Sequence, residues 1–144
     1  MPLILLAAGC GDTDKPSPDE QVSRAAYAQR ADAACQKAED ALEALGQPDG
    51  LNDLPAYATQ AAAIVTQERD DLRALQAPAG DEDRVKELNE TLDAVVRVAK
   101  ALEKVAASGE PAAIDDFVKQ NGAADQKAKK LAQELGMKVC GATP

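Results

Sequence analysis

A repeated spacing decides what this chain can fold into. Val85, Leu88, Leu92, Val95, Ala99, Leu102 and Ala106 recur at alternating intervals of three and four. That lays them along one side of an α-helix, whereas a half-buried strand needs a period of two. The same rhythm carries Ala28, Ala31, Cys35, Ala38, Leu42 and Leu45. It returns in Leu54, Ala58, Ala61, Val65, Leu72 and Leu75, with Glu68 as the one polar intrusion. Ile114, Phe117, Ala124, Ala128, Leu131 and Leu135 make a fourth stripe. Asn121-Gly122 interrupts it and predicts a kink or a break.

Punctuation between the stripes fits four helices. Ser17-Pro18-Asp19-Glu20 predicts the first start: Ser17 as cap, Pro18 at the first helical position, Glu20 completing a capping box. Gly46 and Pro48 end that helix, and the second is expected from Asn52-Asp53 to Gln76. Asp81-Glu82-Asp83 places acids at the start of the third, Ser108-Gly109 ends it, and Glu110-Pro111 opens the fourth. Alanine fills 31 positions, while there are one Phe, two Tyr and no Trp. Such a composition leaves too little β-branched and aromatic surface for a sandwich or barrel. The expected fold is all-α, an antiparallel up-down-up-down four-helix bundle over residues 18–140 with a tail at 141–144. The alanine-rich seams predict close helix axes and little interior cavity.

Charge and missing residue types exclude several functions. A formal net charge of −9 repels nucleic acid phosphates, so no nucleic-acid partner is expected. Histidine is absent, which removes a histidine base, the Ser-His and Cys-His pairs and imidazole metal ligands. Glu68-Asp70-Asp71, Asp81-Glu82-Asp83 and Asp115-Asp116 lack the spacing of a calcium loop, and the second reads as helix-start chemistry. No metal, no cofactor, no catalytic residue and no enzyme activity are expected. Tyr27, Tyr57 and Phe117 at helical spacing read as partly buried core rather than as a ligand patch. Glu82–Lys86, Asp93–Arg97, Asp115–Lys119 and Asp125–Lys129 set acid four residues before base. They read as solvated helix faces.

The N-terminus carries an address. Met1 to Leu6 is apolar, and Ala7-Ala8-Gly9 precedes Cys10. This resembles the lipobox of bacterial lipoproteins, in which small residues before the cysteine allow cleavage once the thiol has taken a diacylglyceryl group. Ala7 stands where Leu is commonest. An export signal has a basic front and an apolar stretch of about 7–15 residues. No Lys or Arg precedes Cys10, so residues 1–9 are expected to be the remnant of a signal peptide whose start lies upstream. Residues 10–17, rich in Gly, Pro and polar residues, read as the lipidated cysteine and its tether. The resemblance implies an exported protein on the outer face of the cell membrane, with the membrane as partner through the lipid on Cys10.

With Cys10 lipidated, Cys35 and Cys140 remain. In an oxidising compartment a leftover pair suggests a disulfide; two buried free thiols are the alternative. Geometry makes the bridge demanding. Cys35 lies about ten residues, or roughly 15 Å, before the end of its helix. In an up-down bundle the fourth helix ends at the opposite pole. A Cys35–Cys140 bridge therefore requires an interrupted fourth helix or a tail that folds back; five tail residues span roughly 16 Å.

Beyond the lipobox, Ala31-Asp32-Ala33-Ala34-Cys35, Leu72-Arg73-Ala74-Leu75 leading into Ala77-Pro78-Ala79-Gly80-Asp81, and Leu135-Gly136-Met137-Lys138-Val139-Cys140-Gly141 complete a pattern. It resembles a group of uncharacterised lipoproteins and small secreted helical proteins from high-GC actinobacteria. The group brings no activity with it. The expected role is a non-enzymatic helical module contacting other envelope proteins, which calls for a contiguous exposed apolar patch. The alternative is a binder of a small apolar ligand or lipid in an inter-helix groove, which calls for a concave apolar pocket with a few polar groups.

Overall fold

The structure, a computed structural model, describes residues 21–142. The expected lipidation site Cys10, the tether and the Ser17–Glu20 capping box lie outside the described residues. Within them, α1 spans Arg24–Leu45, α2 Leu54–Arg73, α3 Glu82–Ala106, α4 Pro111–Asn121 and α5 Ala123–Glu134. No strand occurs among the described residues. No described helix is long and apolar enough to cross a membrane.

The first helix starts later than the Ser17 signal suggests. Ser23 is its cap, extended at φ −72°, ψ 154°, and its hydroxyl accepts the Ala26 N–H at 3.1 Å. Tyr27, Ala28, Ala31, Cys35 and Ala38 are then buried at the expected spacing. The second helix stops at Arg73, three residues short of Gln76. The loop beyond is pinned by Pro78, which is fully buried.

The third helix is the hub. It packs against α2 on one side and against α4 and α5 on the other, while α1 packs on α2. A helix with neighbours on two sides needs more than one apolar stripe. Accordingly Val85, Leu88 and Ala106 are buried as expected, but Thr91 and Val96 are buried too. Leu92, Val95, Ala99 and Leu102 are only half-buried. Thr91 tolerates burial because its hydroxyl donates to the Glu87 carbonyl at 2.8 Å.

The fourth arm divides at Gly122, where the sequence places its interruption. Gly122 itself stays in the helical region (φ −66°, ψ −15°), so the chain does not turn there. Asn121 donates its side-chain amide to the Phe117 carbonyl at 2.9 Å, at the joint. The two halves differ in packing. Nothing on α4 is fully buried, whereas α5 buries Ala128, Leu131 and Ala132.

The tail folds back. Gly136 takes φ +84°, a left-handed conformation that strains any residue with a Cβ. Its N–H reaches the Gln133 carbonyl at 3.0 Å and the Met137 N–H reaches that of Ala132 at 3.0 Å. This is a Schellman end. Met137 is buried, and the chain then runs across α1. There the Asp32 carboxylate accepts the N–H groups of Lys138 (2.9 Å), Val139 (2.8 Å) and Cys140 (3.2 Å). The Cys35–Cys140 disulfide forms with Cα atoms 5.3 Å apart, across a sequence separation of 105. Of the two alternatives for that bridge, the returning tail brings Cys140 to α1, while the fourth arm is divided at Gly122 without a change of direction. Gly141 lies so close to α5 that a Cβ there would sit 2.6 Å from Gln133 Cγ and 3.0 Å from the Met137 carbonyl oxygen.

The main core gathers Tyr27, Ala31 and Cys35 of α1, Leu72 of α2, Val85 and Leu88 of α3, and Leu131, Leu135 and Met137 of the last arm and tail. Removing the Asp32 carboxylate leaves three tail N–H groups, two of them part-buried, without their acceptor. Asp32→Ala should cost about 2 kcal/mol in the oxidised protein, with Asp32→Asn losing less because it keeps an acceptor oxygen. Chemical denaturation measures the cost, and faster exchange of the amides at 138–140 locates it.

Candidate functional site

Four helices and the tail do not close completely. Between α1, α2, α3 and α5 lies a cleft of about 340 Å³, at the small end of ligand-sized cavities. Val65 of α2 and Leu88, Leu92 and Val95 of α3 form one side; Ala128 and Ala132 of α5 form another. Met137, Val139 and the Cys35–Cys140 bridge complete the lining. The cleft follows from side-chain size. The residues that α5 turns toward the cleft are the small Ala128 and Ala132, and Leu92 and Val95 of α3 remain half-buried beside it. The alanine seams thus open space here rather than eliminating it, contrary to the expectation of little interior cavity. A second depression, about 380 Å³ on the outer α2–α3 face, has polar walls that include Thr59, Thr66, Lys100 and Glu103.

Three acids line the cleft, and Glu68 is the half-buried one among them. Glu68 on α2 lines it, with Glu39 of α1, Asp125 and Lys129 of α5, and Arg69 beside it. Burial pushes the Glu68 carboxyl up to about 7, with the charges of Glu39 and Asp125 adding in the same direction. The nearby cations are already engaged. Arg69 Nη1 donates to Asp93 Oδ1 at 2.7 Å, and its Nε lies 2.7 Å from Asp70 Oδ1 in an ion pair without a hydrogen bond at that buried nitrogen, while Lys129 pairs with Asp125 at 2.9 Å. Among the described residues, neither Glu39 nor Glu68 has a salt-bridge partner.

The acidic clusters of the sequence disperse in space. Of Glu68-Asp70-Asp71, Glu68 goes to the cleft, Asp70 to Arg69, and Asp71 to Lys37 at 2.9 Å. Lys37 and Gln67 hold the Asp71 carboxyl below the usual carboxylate range. Asp81 does not cap α3 with its side chain. Buried at 4% exposure, it takes Arg24 in a two-pronged bond, Nε to Oδ2 at 2.7 Å and Nη2 to Oδ1 at 2.6 Å. Arg84 adds a third contact at 3.2 Å. Arg24 foremost, with Arg84, holds the Asp81 carboxyl below its ordinary range. Asp115 and Asp116 are exposed on α4. Among the described residues no three acids or cysteines converge as metal ligands.

Several faces that read as solvated carry bridges between helices. Asp93 turns from Arg97 to Arg69 and Arg73 of α2, each at 2.7 Å, and Lys127 of α5 reaches Glu87 of α3 at 2.8 Å. Of the four acid-before-base pairs, Asp125–Lys129 forms a salt bridge. Tyr27 is buried in the main core, while Tyr57 and Phe117 are half-buried on other helices. Comparison with family models, with curated proteins and with solved structures matches the chain to none.

Glu68 makes stability depend on pH with a defined sign. Its folded pKa lies above the ordinary glutamate value of 4.5, so the folded protein holds the proton more tightly than the unfolded chain does. Its protonated form is therefore stable below about pH 4.5, and stability falls as pH rises from there to about 7. Glu68→Gln, which mimics the neutral acid, should be nearly neutral at pH 4.5. At pH 8 it should stabilise by about 2 kcal/mol. Melting curves across this range measure the difference. A Gln variant no more stable than wild type at pH 8 contradicts the burial of the charge.

Proposed function

We propose that this chain is an exported lipoprotein, held on the outer face of the cell membrane through Cys10, whose helical domain binds a small, mostly apolar ligand. The observation that carries the binding half is the cleft of about 340 Å³, walled by Leu88, Leu92, Val95 and Val139 and entered by Glu68. An apolar concavity with a few polar groups at defined points is the usual form of a small-molecule site. The address half rests on the resemblance of Ala7-Ala8-Gly9-Cys10 to a lipobox, on the linker that follows it, and on the likeness to actinobacterial lipoproteins. The Cys35–Cys140 bridge suits an oxidising compartment. An antiparallel up-down-up-down order of the arms is part of this reading. Short connections and the packing of α1 on α2, α2 on α3, and α3 on α4 and α5 support it.

A second reading is a non-enzymatic module that contacts other envelope proteins. What favours it is α4, which buries no residue fully and leaves Val118 54% exposed beside half-buried Phe117. Among the described residues, Leu51 is the other large apolar side chain that stands exposed. The patch is therefore small, and the cleft is the stronger feature.

Val95→Trp places a large side chain into the cleft from a half-buried position. A neutral, polarity-sensitive dye should bind wild type saturably, one per chain. The variant should lose that binding at least about tenfold while keeping its melting transition. Binding that survives in the folded variant sinks the cleft reading. For the anchor, wild type expressed in its host should partition into detergent, and Cys10→Ser should not. A Cys10→Ser protein processed and retained like wild type overturns the lipoprotein reading.

A further inference from the structure

The charge around the cleft narrows its ligand further, an inference that rests on the proposed binding reading. We propose that the cleft takes an amphiphile with a single positive charge, its chain against Leu88, Leu92 and Val139 and its cationic head beside Glu68 and Glu39.

Most charges around the cleft are already paired. From α1 the cleft receives Glu39; Lys37 borders the adjoining crevice and is bound to Asp71. From α2 it receives Glu68 and Arg69, the latter bridged to Asp70 and Asp93. From α5 come Asp125 and Lys129, bound to each other, while α3 and the tail contribute no charged side chain to the lining. Each cation is thus already neutralised, and Glu39 and Glu68 stand without a counter-ion among the described residues. An anionic head would meet the unpaired carboxylates of Glu39 and Glu68, while the cations of the lining already face other acids. A neutral head would leave the carboxylates repelling one another. A cation relieves that repulsion and replaces the water Glu68 has lost.

The chain of the ligand is set by the walls. Leu88, Leu92 and Val95 on one side and Met137 and Val139 on another offer no hydrogen-bonding side chain, so they suit an alkyl or other apolar body. A free metal ion would gain nothing from such walls, and no three-ligand metal cluster occurs among the described residues.

Glu68 also makes the preference depend on pH. Burial and the neighbouring acids push its carboxyl up to about 7. A cation beside it favours the ionised form and lowers that value. By linkage, cation binding tightens as pH rises through 7 and weakens below it.

Decyltrimethylammonium, decanol and decanoate share one chain length and differ in head charge, and the quaternary head does not titrate. Binding of each to the full chain below its micelle concentration, at about pH 8.5 and about pH 5.5, separates the possibilities. Methyl NMR shifts of Leu88, Leu92 and Val95 should report occupancy. At the higher pH the cation should bind about tenfold more tightly than decanol, and decanoate more weakly than either. At the lower pH the cation's advantage should shrink several-fold. Glu68→Gln should show the reduced advantage at both values, while Asp116→Asn on exposed α4 should leave it intact, which separates the cleft from general attraction to an acidic surface. Equal affinity for cation and alcohol, or an advantage that Glu68→Gln does not reduce, overturns the cationic assignment and leaves the cleft reading standing. If none of the three probes moves the cleft methyls, the cleft reading itself falls.

Discussion

The clasp between the chain's end and the first helix is the contact on which the rest of the architecture depends. It has two parts that act on different states. The Cys35–Cys140 bond joins residues 105 apart in sequence and so restricts the unfolded chain. In the chain-entropy account a loop of that size gives on the order of 4–5 kcal/mol. Asp32 acts on the folded state, gathering three successive backbone N–H groups, two of them part-buried, where the tail leaves helical geometry. The covalent bond sets where the tail must return, and the carboxylate sets its path. Without them α5 and Met137 would have a weaker hold on α1, because alanine contacts alone bury little apolar surface per residue.

A core built largely on alanine shifts the task of fixing helix positions onto polar contacts. Asp81 makes this plain. Its carboxylate is buried, and it survives burial because two arginines meet it: Arg84 one turn along its own helix and Arg24 near the start of α1. That contact fixes the beginning of α3 against the beginning of α1. Farther along, Asp93 joins Arg69 and Arg73 and sets α2 against α3. Exposed pairs of this kind add little stability singly. Their value here is geometric, since smooth alanine faces can slide and a two-pronged arginine contact cannot.

The helices were legible because apolar periodicity is a local signal, and the interruption at Asn121-Gly122 was legible because two poor helix formers stand together there. The start of α1 was less so. The sequence signal sits at Ser17, outside the described residues, whereas the Ser23 hydroxyl accepts the Ala26 N–H and the helix begins at Arg24. The Cys35–Cys140 pairing could be read from cysteine count and compartment, but the means of holding it could not. Asp32 lies in an alanine-rich stretch one turn before Cys35, and that i, i+3 placement is a usable clue only once the tail is known to return. The cleft was the least legible element. Glu68 stood out as a polar break in the second stripe, yet the sequence offered no way to tell a stray surface acid from one facing a gap between α3 and α5. A cleft is a difference between side-chain lengths on separate helices, and no single stripe contains it. The cross-helix destinations of Asp81 and Asp93 were hidden for the same reason. A nearby i+4 base such as Arg97 is an obvious partner for Asp93, but a pair of arginines from α2 supplies better geometry.

Glu68 is difficult to account for by folding alone. Glutamine would fill the same space without a charge to desolvate, and leucine would extend the stripe of Leu72 and Leu75. An acid there costs stability across the neutral range, where its ionised form sits beside Glu39 and Asp125. The rest of the molecule handles its charges differently: Asp71, Asp81, Glu87 and Asp93 each have a cation partner and a carboxyl held below its ordinary range. Glu68 shifts the other way, and it does so at the edge of an apolar cleft. Groups displaced in this manner collect at sites where the charge serves something other than folding. The fold tolerates the cost because the clasp stabilises the same region, tying the tail down beside the cleft. A covalent bond that restrains the unfolded chain leaves room for an acid that weakens the folded one.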